Sequence, residues 1–116
     1  MPMVHIHLSN PVEKEKQAKL MSALSGAVAE ILGKPEAYVM IMLDPETAML
    51  MAAKSGPAAF VEVRSVGTVS ADQAKKLSKA ISEIIAQEIG VESSRIYSNF
   101  LSIPGSMWGF NGNTFG

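Results

Sequence analysis

The chain has 116 residues, ten basic and eleven acidic side chains for a net charge of −1, 47% hydrophobic and 18% charged residues, and no cysteine. This length makes one domain and excludes separate cofactor and substrate lobes, while the apolar content supplies a core and argues against disorder. Balanced charge without a like-charged run argues against a nucleic-acid partner, and the lack of cysteine removes disulfides, thiolate metal sites and thiol nucleophiles.

The opening Met1-Pro2-Met3-Val4-His5 lacks the basic start and apolar run of a signal peptide, and no apolar stretch of about 18 residues follows. A cytoplasmic protein with no membrane partner is expected. Val4, Ile6 and Leu8 alternate with Met3, His5 and His7, which predicts a strand with one buried face. A helix is expected from Asn10 as N-cap, with Pro11 at its first position and Glu13 completing a capping box. Its apolar stripe runs through Leu20, Ala23, Leu24, Ala27, Val28 and Ile31, and Gly33 is placed to end it. A second alternating segment follows, in which Tyr38, Met40 and Met42 share a face. The segment from Asp44 to Pro57, rich in small residues and methionine, is expected to be a linker with room for a short edge strand.

A shift of 57 positions then lays Val61 on Val4, Val63 on Ile6, Leu77 on Leu20, Ile81 on Leu24, Ile85 on Val28 and Gly90 on Gly33. The second unit reads as strand, helix and strand again. Ser70 and Gln73 form its capping pair, and Leu77, Ala80, Ile81, Ile84 and Ile85 its stripe. The fold class is α/β (α+β): two βαβ repeats, 2–44 and 58–101, forming a four-stranded mixed sheet with two helices on one face. The lysines at 14, 16, 19, 75, 76 and 79 lie mostly off the stripes and read as solvated outer faces.

The other sheet face is mixed, carrying His5, His7, Glu62 and Arg64 beside Tyr38, Met40, Met42, Tyr97, Asn99 and Leu101. A short chain covers such a face by oligomerisation, so a homo-oligomer is expected. After Leu101, the tail 102–116 holds four glycines with Trp108, Phe110 and Phe115, and is expected to pack on a neighbouring subunit.

His5 and His7, at i and i+2 on one strand face, have a separation that two metal ligands could use, but no third ligand is suggested, so a structural or solvated role is expected. Asp44, Glu46, Asp72 and Glu92 fall at turns or helix starts, where capping and solvation account for them. Pro2 is the unusual residue. Removal of Met1 leaves a secondary amine with a lone pair, and Pro2 opens directly into a strand that would hold this amine rigidly at a sheet edge. A free α-amino group titrates near about 7.7–8.0, so modest desolvation or a nearby cation leaves it neutral and able to accept a proton at physiological pH.

Pro2-Met3, Gly33-Lys34-Pro35 followed by Tyr38, Ser65-Val66-Gly67, Arg95-Ile96-Tyr97-Ser98-Asn99, Trp108-Gly109-Phe110-Asn111 and Asn113-Thr114-Phe115 together span the chain. In this set the sequence resembles the macrophage migration inhibitory factor family of the tautomerase superfamily. The resemblance implies a homotrimer in which three sheets surround a channel, with a site at each subunit interface. It implies Pro2 as catalytic base, and Met3, Lys34, Tyr38, Val66, Tyr97, Asn99, Trp108 and Phe110 as substrate-binding residues, with no metal and no cofactor. Lys34 would bind an α-carboxylate, the Val66 N–H and Asn99 would orient the substrate, and Tyr97 would support Pro2 or the enol oxygen. The implied reaction is keto–enol isomerisation of phenylpyruvate-like aryl keto acids; the alternative is a protein-binding or cytokine-mimicking signalling module with a vestigial site. Two departures stand out. The Cys-x-x-Cys of mammalian members aligns with Ala58 to Val61, and the family tryptophan aligns with Phe110 while Trp108 takes the place of a smaller aliphatic residue.

Overall fold

The computed structural model describes residues 2–116. Strand β1 (Pro2–Leu8), helix α1 (Lys14–Leu32) and strand β2 (Met40–Asp44) form the first unit; β3 (Ala59–Val66), α2 (Ala71–Ile89) and β4 (Ile96–Ile103) form the second. Within each unit the two strands are parallel, as a helical crossover requires, and β1 and β3 join the units antiparallel in the order β2-β1-β3-β4. The result is the expected mixed four-stranded sheet.

One face of the sheet packs beneath both helices. Val4, Ile6, Leu8, Val61 and Val63 meet Leu20, Leu24, Val28, Leu77, Ile81 and Ile85, all fully buried. Burying each such side chain contributes about 1.5–3 kcal/mol. The α1 stripe is shifted around the helix relative to the sequence spacing, because Ala23 is exposed and Ala29 and Leu32 are buried instead. Ser70 and Gln73 form both bonds of the capping box on α2, and Gly33 and Gly90 end the helices in left-handed conformations. No helix among the described residues is long and apolar enough to cross a membrane.

The start of α1 differs from the expected cap at Asn10. The helix begins at Lys14, with Glu13 in the cap position. The Asn10 carbonyl accepts the Glu46 N–H at 3.0 Å and its side-chain oxygen accepts the Ser9 hydroxyl at 3.1 Å, so both capping groups are engaged elsewhere. Gln17 then closes the first turn by donating its side-chain amide to the Val12 carbonyl at 2.9 Å.

Tyr38 also differs from expectation, lying in a single 3₁₀ turn, Glu36–Tyr38, ahead of β2 rather than in the strand. The linker after β2 contains one bridge, Met51 with Lys54, closed by Ala52 and Ala53 at φ 55° and 59°. The tail forms a 3₁₀ turn, Gly105–Met107, then a hairpin of β5 (Gly109–Phe110) and β6 (Asn113–Thr114). Its turn is Asn111-Gly112 with φ 51° and 77°, the left-handed pair that a two-residue hairpin requires.

Candidate active site

Pro2, buried at the start of β1, lies at one wall of a cleft of about 340 Å³ that it shares with Met3, Tyr38, Trp108 and Phe110. The elements that build this cleft are the first residues of β1, the 3₁₀ turn after Lys34-Pro35 and the tail hairpin. Phe110 meets Tyr38 edge-on, with ring centroids 6.0 Å apart and planes at 85°, and stacks on Phe115 at 5.5 Å. These are favourable quadrupole arrangements, so Phe115 supports Phe110 from outside the cleft while Phe110 and Tyr38 supply aromatic lining to it. The tail, expected to pack on a neighbour, therefore packs at least partly on its own chain. Ala37, Val39, Met40 and Gly109 complete the lining and carry no chemistry of their own; their adjacency to Tyr38 and Phe110 is the signal that could have found them.

Lys34 and Val66 form a second group. The Lys34 ammonium donates to the Val66 carbonyl at 3.2 Å, and Val66 follows Ser65, the register partner of Pro2 across the antiparallel β1–β3 pair. Ser65 is buried, and its hydroxyl donates to the same carbonyl at 3.4 Å. A cation is thereby held at the end of β3, which lies at the same end of the sheet as Pro2.

Tyr97 and Asn99 are not brought to this cleft. On β4 the partner of Ser65, and hence the residue aligned with Pro2, is Ser102, whereas Tyr97 is paired with Phe60 and Asn99 with Glu62. At about 3.3 Å per residue, Tyr97 is displaced roughly 17 Å along the sheet from Pro2 of its own chain. Tyr97 is 65% exposed, and Asn99 is exposed beside it on the outer face of the edge strand. Removal of Met1 lies outside the described residues.

The same outer face holds a cluster that sequence spacing did not complete. Parallel pairing of β1 with β2 sets Asp44 opposite His7, and antiparallel pairing with β3 sets Glu62 opposite His5. His5 Nε2 lies 2.5 Å from Asp44 Oδ2, and His7 Nε2 lies 3.0 Å from Glu62 Oε2. Asp44 is thus a histidine partner as well as a strand-end residue, and the hydrogen bond from His7 holds the Glu62 carboxyl below its ordinary range.

The comparisons with known proteins agree with this architecture. The family model for macrophage migration inhibitory factor matches residues 1–116. A macrophage migration inhibitory factor homolog of Brugia malayi is 33% identical over 116 residues, covering 100% of both chains. The crystal structure of a Prochlorococcus marinus homologue superposes with a TM-score of 0.93 at 35% identity, covering 98% of this chain and 99% of that one. The Toxoplasma gondii macrophage migration inhibitory factor superposes with a TM-score of 0.93 at 31% identity, over 97% and 99% of the two chains. With fold, full-length match and sequence in accord, the chain belongs to the macrophage migration inhibitory factor family.

Proposed function

We propose that the protein is a keto–enol tautomerase of phenylpyruvate-like aryl keto acids, with the amine of Pro2 as general base after Met1 is removed. The observation that carries this reading is the position of Pro2, buried at a rigid strand start and facing an aromatic cleft. Burial disfavours the ammonium form, which leaves the amine neutral and basic near pH 7. An aryl group stacks or packs edge-on against Tyr38, Trp108 and Phe110, and the α-carboxylate pairs with Lys34. Pro2 then takes the proton from the carbon next to the carbonyl, and protonation of the resulting enolate on its oxygen gives the enol, so the reaction is proton transfer and needs no cofactor. Electrostatic stabilisation of the developing enolate oxygen falls to hydrogen-bond donors, for which Tyr97, Asn99 and the Val66 N–H are the candidates.

Because Tyr97 and Asn99 lie so far from their own Pro2, they serve the reaction only if another copy brings them. The outer face supports such an assembly: Met40, Met42, Tyr97 and Leu101 are exposed by 59%, 43%, 65% and 49%. We therefore place the site at the interfaces of a homotrimer located in the cytoplasm. The test is a keto–enol assay with phenylpyruvate on protein whose N-terminus has been verified by mass spectrometry. Turnover that depends on Pro2 supports the enzyme; no turnover by correctly processed protein transfers the reading to a protein-binding or signalling module.

A further inference from the structure

His5, His7, Asp44 and Glu62 are not used by the Pro2 chemistry. They lie on the sheet's outer face, on three adjacent strands, and their contacts are divided in a specific way. His5 Nε2 faces Asp44 Oδ2 at 2.5 Å and His7 Nδ1 faces the same oxygen at 4.0 Å. The opposite ring nitrogens both turn to Glu62: His5 Nδ1 stands 3.7 Å and His7 Nε2 3.0 Å from its Oε2. Each imidazole therefore presents one nitrogen to Asp44 and the other to Glu62.

We propose that His5, His7 and Asp44 form a site for one divalent transition-metal ion per chain, of which Zn²⁺ is the representative, with Glu62 orienting both histidines from behind. One donor atom from each of the three ligands lies within 4.8 Å of the others. Donors sharing a zinc ion at bonds of about 2.0–2.2 Å stand roughly 3.0–3.5 Å apart, so small side-chain rotations close the set. Two imidazoles and a carboxylate suit zinc and its first-row neighbours rather than calcium or magnesium, which take oxygen ligands. A ligating histidine ordinarily donates its other N–H to a carboxylate, and Glu62 stands in that position for His7 at 3.0 Å, with the His5 ring nitrogen 3.7 Å from the same oxygen. Ring orientation is further restricted by packing: the two imidazole centroids are 4.0 Å apart and His7 stacks on Phe60 at 6.0 Å and 23°. In the single chain Asp44 is 60% exposed, and three protein ligands leave the fourth tetrahedral position of the ion to water. Bound there, it ties the end of edge strand β2 to β1.

Untagged protein is titrated with Zn²⁺ by calorimetry, and with Co²⁺ followed by visible absorption. One ion per chain is expected, with affinity falling about 10-fold or more in His7→Gln and Asp44→Asn, and about 10- to 100-fold in Glu62→Gln. Circular dichroism shows whether each variant keeps its fold. A measurement on the unsubstituted chain stands independently of the variants: His5 and His7 are its two histidines, so zinc must perturb both imidazole NMR signals and a chelator must restore them. Saturation at one ion per three chains, binding no tighter than that of His5→Gln/His7→Gln, or unshifted imidazole signals in the presence of zinc would each overturn the proposal.

Discussion

Lys34 donates its ammonium to the Val66 carbonyl at 3.2 Å, joining the residue just past the end of α1 to the last residue of β3. A lysine ammonium has three donors, so this bond positions the charge and leaves donors for a substrate carboxylate. A charged hydrogen bond is worth about 1.5–3 kcal/mol, so Lys34→Met is expected to lower kcat/KM for keto acids by roughly 10- to 100-fold. Esters of the same acids carry no charge to pair and should lose far less. Steady-state kinetics on matched acid and ester substrates measure the difference; equal losses would remove Lys34 from carboxylate recognition.

Arg95 is expected to be a stability residue. Its Nε donates to the Pro57 carbonyl at 2.8 Å, and its two terminal nitrogens donate to Met51 at 3.3 Å and Lys54 at 3.0 Å. These bonds hold a turn in which Ala52 and Ala53 occupy left-handed backbone that costs about 1–2 kcal/mol per residue. Arg95→Ala should therefore destabilise the fold by about 1–3 kcal/mol, read as a lower Tm and faster proteolysis within 51–57. Arg95→Lys should recover little, because one ammonium cannot reproduce the planar fork. An unchanged Tm in both variants would show that solvent serves these carbonyls equally well.

These contacts also show what can be read from sequence. The alternation of Val4, Ile6 and Leu8, the Ser70–Gln73 capping pair and the terminal Gly33 and Gly90 are local signals, and each specifies its element directly. The start of α1 is not local: Asn10 has capping chemistry, but its carbonyl is taken by Glu46, a residue brought alongside only when β2 has paired with β1. Asp44 is hidden for the same reason, since it becomes a neighbour of His5 and His7 through strand register rather than spacing. The tail hairpin did have a local signal in Asn111-Gly112, masked by the surrounding glycines and aromatics. The joint placement of Pro2 and Tyr38 was legible only through the family resemblance, because it depends on how a 3₁₀ turn and a hairpin meet.

Assembly gives a third prediction. Strands β2 and β4 are the edges of the sheet, and exposed Met40, Met42, Tyr97 and Leu101 lie on its outer face. Burying such a face is favourable by roughly 25 cal/mol per Å² of apolar surface, before the costs of association. Light scattering should give three times the chain mass at micromolar concentration. Tyr97→Ala is expected to reduce turnover as well as assembly if Tyr97 reaches a neighbour's Pro2. Co-mixing Tyr97→Ala with Pro2→Gly chains should then restore some activity, because mixed trimers contain interfaces with both residues intact. A stable, active monomer would exclude the shared site.

The last prediction concerns the Pro2 amine, on which the enzymatic reading depends. While Met1 remains attached, the proline nitrogen is a tertiary amide whose lone pair is delocalised into the peptide bond, and it cannot accept a proton. Retention of Met1 should therefore abolish turnover, whatever the condition of the rest of the cleft. Pro2→Gly with Met1 removed keeps a primary amine without the rigid ring, so activity should fall without disappearing; Pro2→Ala, similarly processed, should retain a little. Because general-base catalysis contributes typically 10²- to 10⁴-fold, the gap between processed and unprocessed protein should be at least about 10²-fold. Mass spectrometry of each preparation, paired with the keto–enol assay, makes the comparison. If a preparation proven to retain Met1 turned over at the full rate, the amine could not be the base; another group in the cleft would then have to take the proton.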